Sequence, residues 1–280
     1  MSIIEIEDLV YCYPDGTRAL DGVSFRAEKS ESLALLGPNG AGKSTLLLHL
    51  NGLLHGHAGT VKVLDRLVED KNLSWLRRHV GIVFQDPDDQ LFMPTLAEDV
   101  AFGPVNMDLS KDQIRERVNW ALQSVGLEDF KEKGPHHLSF GQKKRAALAT
   151  VLSMKPDVLV LDEPTSNLDP RSKMQMVHLI RSLQESGTTI ITATHDVNLV
   201  PYLADRTVLL DKKVAATGSV KQILGDRKLM ESLGLEMPIL ADVFERLNDE
   251  GIHSTLTPMT KEEAVDAITL ILKKNSGYPG

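Results

Sequence analysis

The sequence predicts an α/β fold with a largely parallel sheet, and three features carry that prediction. Gly37-Pro-Asn-Gly-Ala-Gly-Lys-Ser44 lies between an apolar run over residues 32–36 and a helix-like run over residues 45–51. Apolar strand-like segments recur after it and alternate with helical ones, as the crossovers of a parallel sheet require. A helix-rich block over residues 86–155 is set between two strand-rich parts.

In chain order, Ile3-Ile-Glu-Ile-Glu and Val23-Ser-Phe-Arg alternate apolar with polar and read as half-buried strands about a turn at Tyr13-Pro-Asp-Gly16. Residues 32–36 read as a buried strand, and residues 45–51 as a helix that Gly52 ends. Thr60-Val-Lys-Val-Leu64 adds a strand. After Ser74-Trp-Leu-Arg-Arg78 comes Val80-Gly-Ile-Val-Phe84, a short buried strand ending at Gln85, and then a loop at Asp86-Pro-Asp-Asp89. Ser110-Lys-Asp-Gln113 and Ser139-Phe-Gly-Gln142 are capping boxes opening helices to about Val125 and about Met154. Strands return at Val158-Leu-Val-Leu161, Thr189-Ile-Ile-Thr192 and Thr207-Val-Leu-Leu210, with a helix over 170–186 between the first two. From residue 218 the composition turns to amphipathic helix, over 219–224, 228–233 and 239–248. Thr260-Lys-Glu-Glu263 then caps a last helix to about Lys274, with residues 275–280 frayed.

A chain of 280 residues suffices for one large domain or a domain with an appendage. Its net charge of −8 argues against nonspecific nucleic-acid binding by the surface as a whole. Cys12 is the single cysteine, so no intramolecular disulfide can form and a reducing cytosol is the expected setting. Glu5, Glu7 and Asp8 interrupt any apolar leader at the N-terminus. No apolar stretch approaches the roughly 18–20 residues that span a bilayer. Work at a membrane would need another chain to do the spanning.

The spacing at residues 37–44 fits G-x-x-x-x-G-K-[ST], with glycines at 37, 40 and 42. Lacking Cβ atoms, such residues turn tightly and aim backbone N–H groups at an anion, and the following helix adds its positive end. Lys43 would neutralise the β- and γ-phosphates of a nucleoside triphosphate, and Ser44 would offer a hydroxyl to Mg²⁺. Val158-Leu-Val-Leu-Asp162-Glu163 delivers two carboxylates to the C-terminal end of a strand, where α/β proteins bind ligands. Asp162 would hold Mg²⁺ directly or through water, and Glu163 would polarise the attacking water. Ser139, Gly141 and the free N–H groups behind them form a second anion site, or else a plain capping box with basic residues on a solvated face.

Leu138-Ser-Phe-Gly-Gln142 resembles the LSGGQ signature of the ATP-binding-cassette (ABC) ATPases, with Phe140 where that family most often has Gly. The other marks follow in the family's order. Gln85 resembles its Q-loop glutamine, a Mg²⁺ ligand and relay to a membrane partner. Ser166-Asn-Leu-Asp169 resembles its D-loop, and His195 its switch histidine at the γ-phosphate. Tyr13 resembles the aromatic that stacks on adenine, with Tyr11 as a competitor. The resemblance implies that ATP and Mg²⁺ are bound by Gly37, Pro38, Asn39, Gly40, Ala41, Gly42, Lys43, Ser44 and Thr45. Ser139, Gly141, Gln142 and Asp169 would complete the site from a second chain. It also implies catalytic roles for Glu163, His195 and Gln85.

The implied architecture is a P-loop NTPase core of RecA-like type with an N-terminal antiparallel β subdomain. An α-helical subdomain over about 87–155 is inserted in a nucleotide-binding domain of residues 1–217, and a helical extension over 218–280 follows. Phe84-Gln-Asp-Pro-Asp-Asp-Gln-Leu-Phe92 and Gly141-Gln-Lys-Lys-Arg145 resemble the energy-coupling-factor importers of cobalt, nickel and vitamins, whose C-terminal extension contributes to dimerisation. The expected protein is therefore an ATPase at the cytoplasmic face of the cell membrane. It would be peripheral, paired with itself or a paralogue, docked on an integral membrane subunit, and without a nucleic-acid partner. Two rivals are a soluble ABC protein acting on nucleic acid or ribosomes, and a P-loop small-molecule kinase. The first lacks its coiled coil or second cassette here, and the second leaves residues 138–145 and His195 without a purpose.

Overall fold

A computed structural model describes residues 2–252, 254 and 257–275. The chain begins with β1 (Ser2–Cys12), β2 (Arg18–Glu28) and β3 (Ser32–Leu36), followed by α1 (Lys43–Leu50). Next come β4 (Ala58–Val63), β5 (Arg66–Leu67), α2 (Leu73–His79) and β6 (Val80–Val83). The helical block contains α3 (Leu96–Asn106), α4 (Lys111–Ser124) and α5 (Phe140–Leu152). It leads to β7 (Val158–Asp162), α6 (Pro170–Glu185), β8 (Thr189–Thr194), α7 (Val200–Leu203) and β9 (Arg206–Asp211). The chain finishes with β10 (Lys213–Ser219), α8 (Val220–Leu224), α9 (Arg227–Ser232), α10 (Ile239–Asp249) and α11 (Lys261–Asn275). The fraying expected over 275–280 lies, beyond Asn275, outside the described residues.

Two sheets result. An antiparallel sheet has the order β2-β1-β4-β5, and a six-stranded sheet the order β10-β9-β3-β8-β7-β6. In the second, β9, β3, β8, β7 and β6 all run parallel and only β10 is reversed. Every residue of β3, β7 and β8 is buried, as expected of parallel strands covered on both faces. Successive side chains of β7 divide between the faces: Val158 and Val160 pack with α1 and the antiparallel sheet, Leu159 and Leu161 with α5 and α6. The helical block is fastened to the sheet through α5, whose Leu148 and Leu152 share a core with Leu96, Val100 and Leu122.

Because the five strands are parallel, their carboxyl ends lie along one edge. Residues 37–44 follow β3, Gln85 follows β6, Glu163 follows β7 and His195 follows β8. Register places Asp162 beside Ala193 and Leu36 beside Thr194. Residues far apart in the chain thus meet at that edge, where ligands of α/β proteins bind.

The structure extends several sequence expectations. The strands expected within residues 2–30 run 11 residues each, with irregular pairing where Asp8 takes a left-handed φ of 48°. Residues 86–89, expected as a loop, include a 3-10 turn at Pro87–Asp89 capped by the Asp86 carboxylate. The helix α3 starts at a third capping box, Thr95 with Glu98, and continues through Pro104. The expected boundary at 217/218 falls inside β10. The helices beyond it share a core with the main sheet, since Ala34, Leu36 and Leu209 pack with Val220, Leu224 and Met230. Among the described residues no helix is long and apolar enough to cross a membrane.

Candidate functional site

The loop after β3 is shaped by two close approaches. A Cβ on Gly37 would run into the Leu210 carbonyl oxygen, and one on Gly42 into that of Ala19. Gly42 also has φ +92°, which side chains rarely adopt. With Gly42 at its N-cap, α1 begins without a side-chain cap and without an acidic residue in its first turn, leaving its N–H groups available to an anion. Gly37→Ala is expected to cost about 1–3 kcal/mol by forcing strand β9 aside. Thermal unfolding checks this, and an unchanged Tm would show that the loop does not pack on Leu210 as described.

Lys43 is buried, and its Nζ donates to the carbonyls of Gly37 at 2.7 Å and Pro38 at 3.0 Å. Burial lowers its pKa, while the nearby Glu163 and Asp162 carboxylates partly restore it. Ser44 is exposed beside Asp162, and Thr45 accepts or donates a 2.9 Å hydrogen bond with the Tyr13 hydroxyl. Burial raises the Asp162 pKa; the Ser44 hydroxyl is the foremost influence holding it down. Asp162 Oδ1 is buried without a hydrogen-bond partner. Such an oxygen fits a cation ligand, since an unpaired buried acceptor is otherwise costly.

Glu163 sits just past β7 with a positive φ of 46°, unusual for a residue with a side chain, and its N–H donates to the Ala193 carbonyl at 3.0 Å. Its buried carboxylate pairs with His195 Nδ1 at 2.6 Å and accepts from the Thr194 hydroxyl at 3.4 Å. His195 is the more open partner, its side chain 57% exposed against 8% for Glu163. The Gln85 side chain is exposed at the end of β6. Tyr11 is buried edge-on against Tyr13 and His49, whereas Tyr13 lies beyond the strand end with an exposed ring. Of the two tyrosines, Tyr13 is the more exposed.

The signature segment lies elsewhere. Ser139 Oγ accepts from the Gln142 N–H at 3.3 Å, and Gln142 Oε1 accepts from the Ser139 N–H at 2.8 Å, so both side chains cap α5. Asp169 similarly caps α6, accepting from the N–H groups of Arg171 and Ser172; the Ser172 hydroxyl first, and then these N–H groups, hold its pKa down. Space beside Gly141 is bounded by Leu168 and Ser172 of that neighbouring segment. Ser139 and Phe140 face solvent, and among the described residues no hydrogen bond joins residues 139–142 to residues 37–45. The structure thus brings together Gly37–Thr45, Gln85, Asp162, Glu163 and His195 on one edge, while Ser139 and Gln142 form a capping box that makes no hydrogen bond to the phosphate loop among the described residues.

One residue escaped the sequence reading. Lys144 is buried, not on a solvated face: its Nζ donates to the carbonyls of Gln85 and Glu163 and to the Ser166 hydroxyl. Burial lowers its pKa to about 8 against the support of Glu163 and Asp162. The available signal was spacing, for Lys144 stands three, four and seven residues before the buried Ala147, Leu148 and Val151.

A glycine loop on a helix start, with two carboxylates and a histidine on the same sheet edge, defines a nucleoside triphosphatase of the phosphate-loop class. The ABC transporter family model matches residues 20–166, and the chain belongs to that family of ATPases. Over 272 residues it is 48% identical to the energy-coupling factor transporter ATP-binding protein EcfA of Methanosphaera stadtmanae, covering 95% of this chain and 98% of the relative. Among solved structures, CbiO1 of Clostridium perfringens, part of the ABC transporter complex CbiONQ, superposes with a TM-score of 0.75. It is 42% identical, with 87% of this chain and 99% of CbiO1 covered. The dimeric ATP-binding cassette MJ0796, in a post-hydrolysis state bound to ADP and Pi, matches at a TM-score of 0.71 and 27% identity, over 78% of this chain and 98% of that one.

Proposed function

We propose that the chain is the ATP-hydrolysing, energy-coupling subunit of an importer of the energy-coupling-factor class, carrying a transition metal such as cobalt or nickel, or a vitamin. It works at the cytoplasmic membrane face as a dimer with a second copy or a paralogue. The observation that supports this reading is the open start of α5: Ser139 and Phe140 face solvent, and among the described residues no hydrogen bond joins residues 139–142 to the phosphate loop. A triphosphate on the loop of one chain would be gripped from its far side by Ser139 and Gly141 of the other. The near-complete overlap with EcfA supports the same assignment.

In that arrangement the loop N–H groups and Lys43 bind the phosphates, and Tyr13 stacks on adenine. His195 and Thr194 hold the Glu163 carboxylate where it can take a proton from attacking water. Ser44, Asp162 and Gln85 would hold Mg²⁺, which would supply charge neutralisation to the phosphates. Asp169 lies in the segment that would face the partner. Residues 218–280 extend the domain as a dimerisation element, with Ile239, Val243, Val265 and Leu272 exposed on its helices.

This chain offers the membrane subunit a docking surface beside the loop after Gln85. A groove of about 680 Å³ there is lined by Arg77, Ile82, Phe92, Phe102, Met107 and Met154. Phe92, 64% exposed, meets Phe102 edge-on at 5.2 Å. The groove is held in shape by Gln90, which donates to Ala147 and Thr150, and by Asp99, which accepts from Phe92 and Met93. A helix of the membrane subunit seated there would feel any movement of β6 and α5. Phe92→Asp is expected to weaken membrane retention by roughly 30-fold or more, the cost of losing an interface anchor, with ATP affinity unchanged. Quantifying the protein on salt-washed membranes that contain its transporter subunits tests this, and undiminished retention of the variant would refute the docking surface. Absence of the wild-type protein from those membranes would refute the importer reading itself.

A further inference from the structure

We propose that Lys144 is a positioning residue that links the two nucleotide sites of the dimer, tying the signature helix that serves one site to the hydrolytic groups that serve the other. The inference rests on the two-chain site proposed above. Ser139 and Gly141, at the start of α5, would touch the nucleotide of the partner, whereas Gln85 and Glu163 act on the nucleotide of their own chain. Lys144 lies five residues after Ser139 on the same helix, about 7.5 Å along its axis. Its ammonium donates to the Gln85 carbonyl at 2.6 Å, the Glu163 carbonyl at 2.8 Å and Ser166 Oγ at 3.2 Å.

Those three acceptors belong to three separate segments: the end of β6, the end of β7 and the turn that leads to Asp169. Ser166 Oγ also donates to the Glu163 carbonyl at 2.9 Å, so the acceptors are joined to one another as well. A primary ammonium has three N–H donors, and all three are taken here. The side chain is 1% exposed, so water does not compete for these bonds. The Phe140 ring lies 5.8 Å from the ammonium. A second tie on the same helix runs from Lys143 to Asp88 at 2.6 Å.

The mechanical consequence follows from rigidity. When the signature of one chain closes on the partner's triphosphate, α5 moves as a unit. The carbonyls of Gln85 and Glu163 are fastened to it through Lys144 and move with it. Occupancy of one site thereby adjusts the water-orienting carboxylate and the Q-loop at the other. An apolar residue at 144 could fill the volume but could not transmit that displacement through directed bonds.

The test is steady-state phosphate release by the full chain as a function of ATP concentration with Mg²⁺, alongside equilibrium ATP binding and Tm. Wild-type hydrolysis is expected to be sigmoidal. Lys144→Met keeps the stem and loses the donors. It is expected to lower kcat roughly 10- to 100-fold and bring the Hill coefficient to 1, with the ATP Kd unchanged within about twofold. Lys144→Gln keeps two N–H donors and is expected to fall between the two in both quantities, a rescue that a packing role would not produce. If Lys144→Met fails to fold, Lys144→Gln decides the matter by the same two readouts. Unchanged kcat and Hill coefficient in the folded variants overturn the link, as does a wild-type Hill coefficient of 1. Loss of ATP binding together with Tm in both variants makes Lys144 a packing residue and overturns it too. Glu163→Gln separates the levels: if it forms no ATP-held dimer, the two-chain site fails; if it does and the Lys144 variants stay cooperative, only the link fails.

Discussion

Glu163→Gln should lower ATP turnover by about 10²–10⁴-fold, the range supplied by a positioned general base, while ATP still binds. Glu163 Oε1 lies 2.6 Å from His195 Nδ1, and the left-handed backbone at Glu163 aims the side chain off the end of β7. An amide has nearly the same shape, so the fold and the phosphate loop are left intact. It cannot accept a proton from water, however, so the step that releases the dimer is removed. The nucleotide would then accumulate between two chains, held by charge-assisted bonds that exist only while the γ-phosphate bridges them. Phosphate release measures the first effect, and size exclusion with and without ATP the second. A variant that turns over at the wild-type rate would remove Glu163 from the role of base. One that stays monomeric with ATP bound would remove the two-chain site.

The nucleotide edge was legible in the sequence because its parts are local. Gly37 to Ser44 carry their conformation in their own glycines, and each of Gln85, Asp162 and His195 stands at the end of a recognisable apolar run. The ambiguity between Tyr11 and Tyr13 had a physical origin: residues two apart on a strand share a face, so alternation alone cannot separate them. The end of β1 at Cys12 separates them by carrying Tyr13 out of the sheet. The helix α3 was missed although Thr95-x-x-Glu98 is the same kind of signal as the boxes at Ser110 and Ser139. Pro104 reads as a breaker, yet it falls near the C-terminal end of the helix. Lys144 was hidden for the opposite reason. Its acceptors lie 59, 19 and 22 residues away in the chain, and no local pattern announces that three of them converge on one ammonium.

Lys43→Ala should weaken ATP binding steeply and dimer closure with it. In the structure the ammonium is held ready by the Gly37 and Pro38 carbonyls, with Asp162 and Glu163 near enough to favour its charge. Two consequences of its removal oppose each other in the fold. Two carbonyls lose a donor, a cost of about 1–3 kcal/mol, but the chain no longer buries a cation. The folded state therefore survives with a modest change in Tm. Nothing offsets the loss in the complex, where two carboxylates would face a triphosphate with no cation of the chain between them. Truncating one partner of a buried, hydrogen-bonded charge pair costs about 2–5 kcal/mol, or roughly 30- to several-thousand-fold in Kd. Thermal shift separates the two effects in one experiment: ATP at a concentration that saturates the wild type raises its Tm by mass action and shifts that of the variant far less. Calorimetric titration gives the affinity directly, and ATP binding of wild-type strength by Lys43→Ala would refute the assignment of residues 37–44 as the phosphate site.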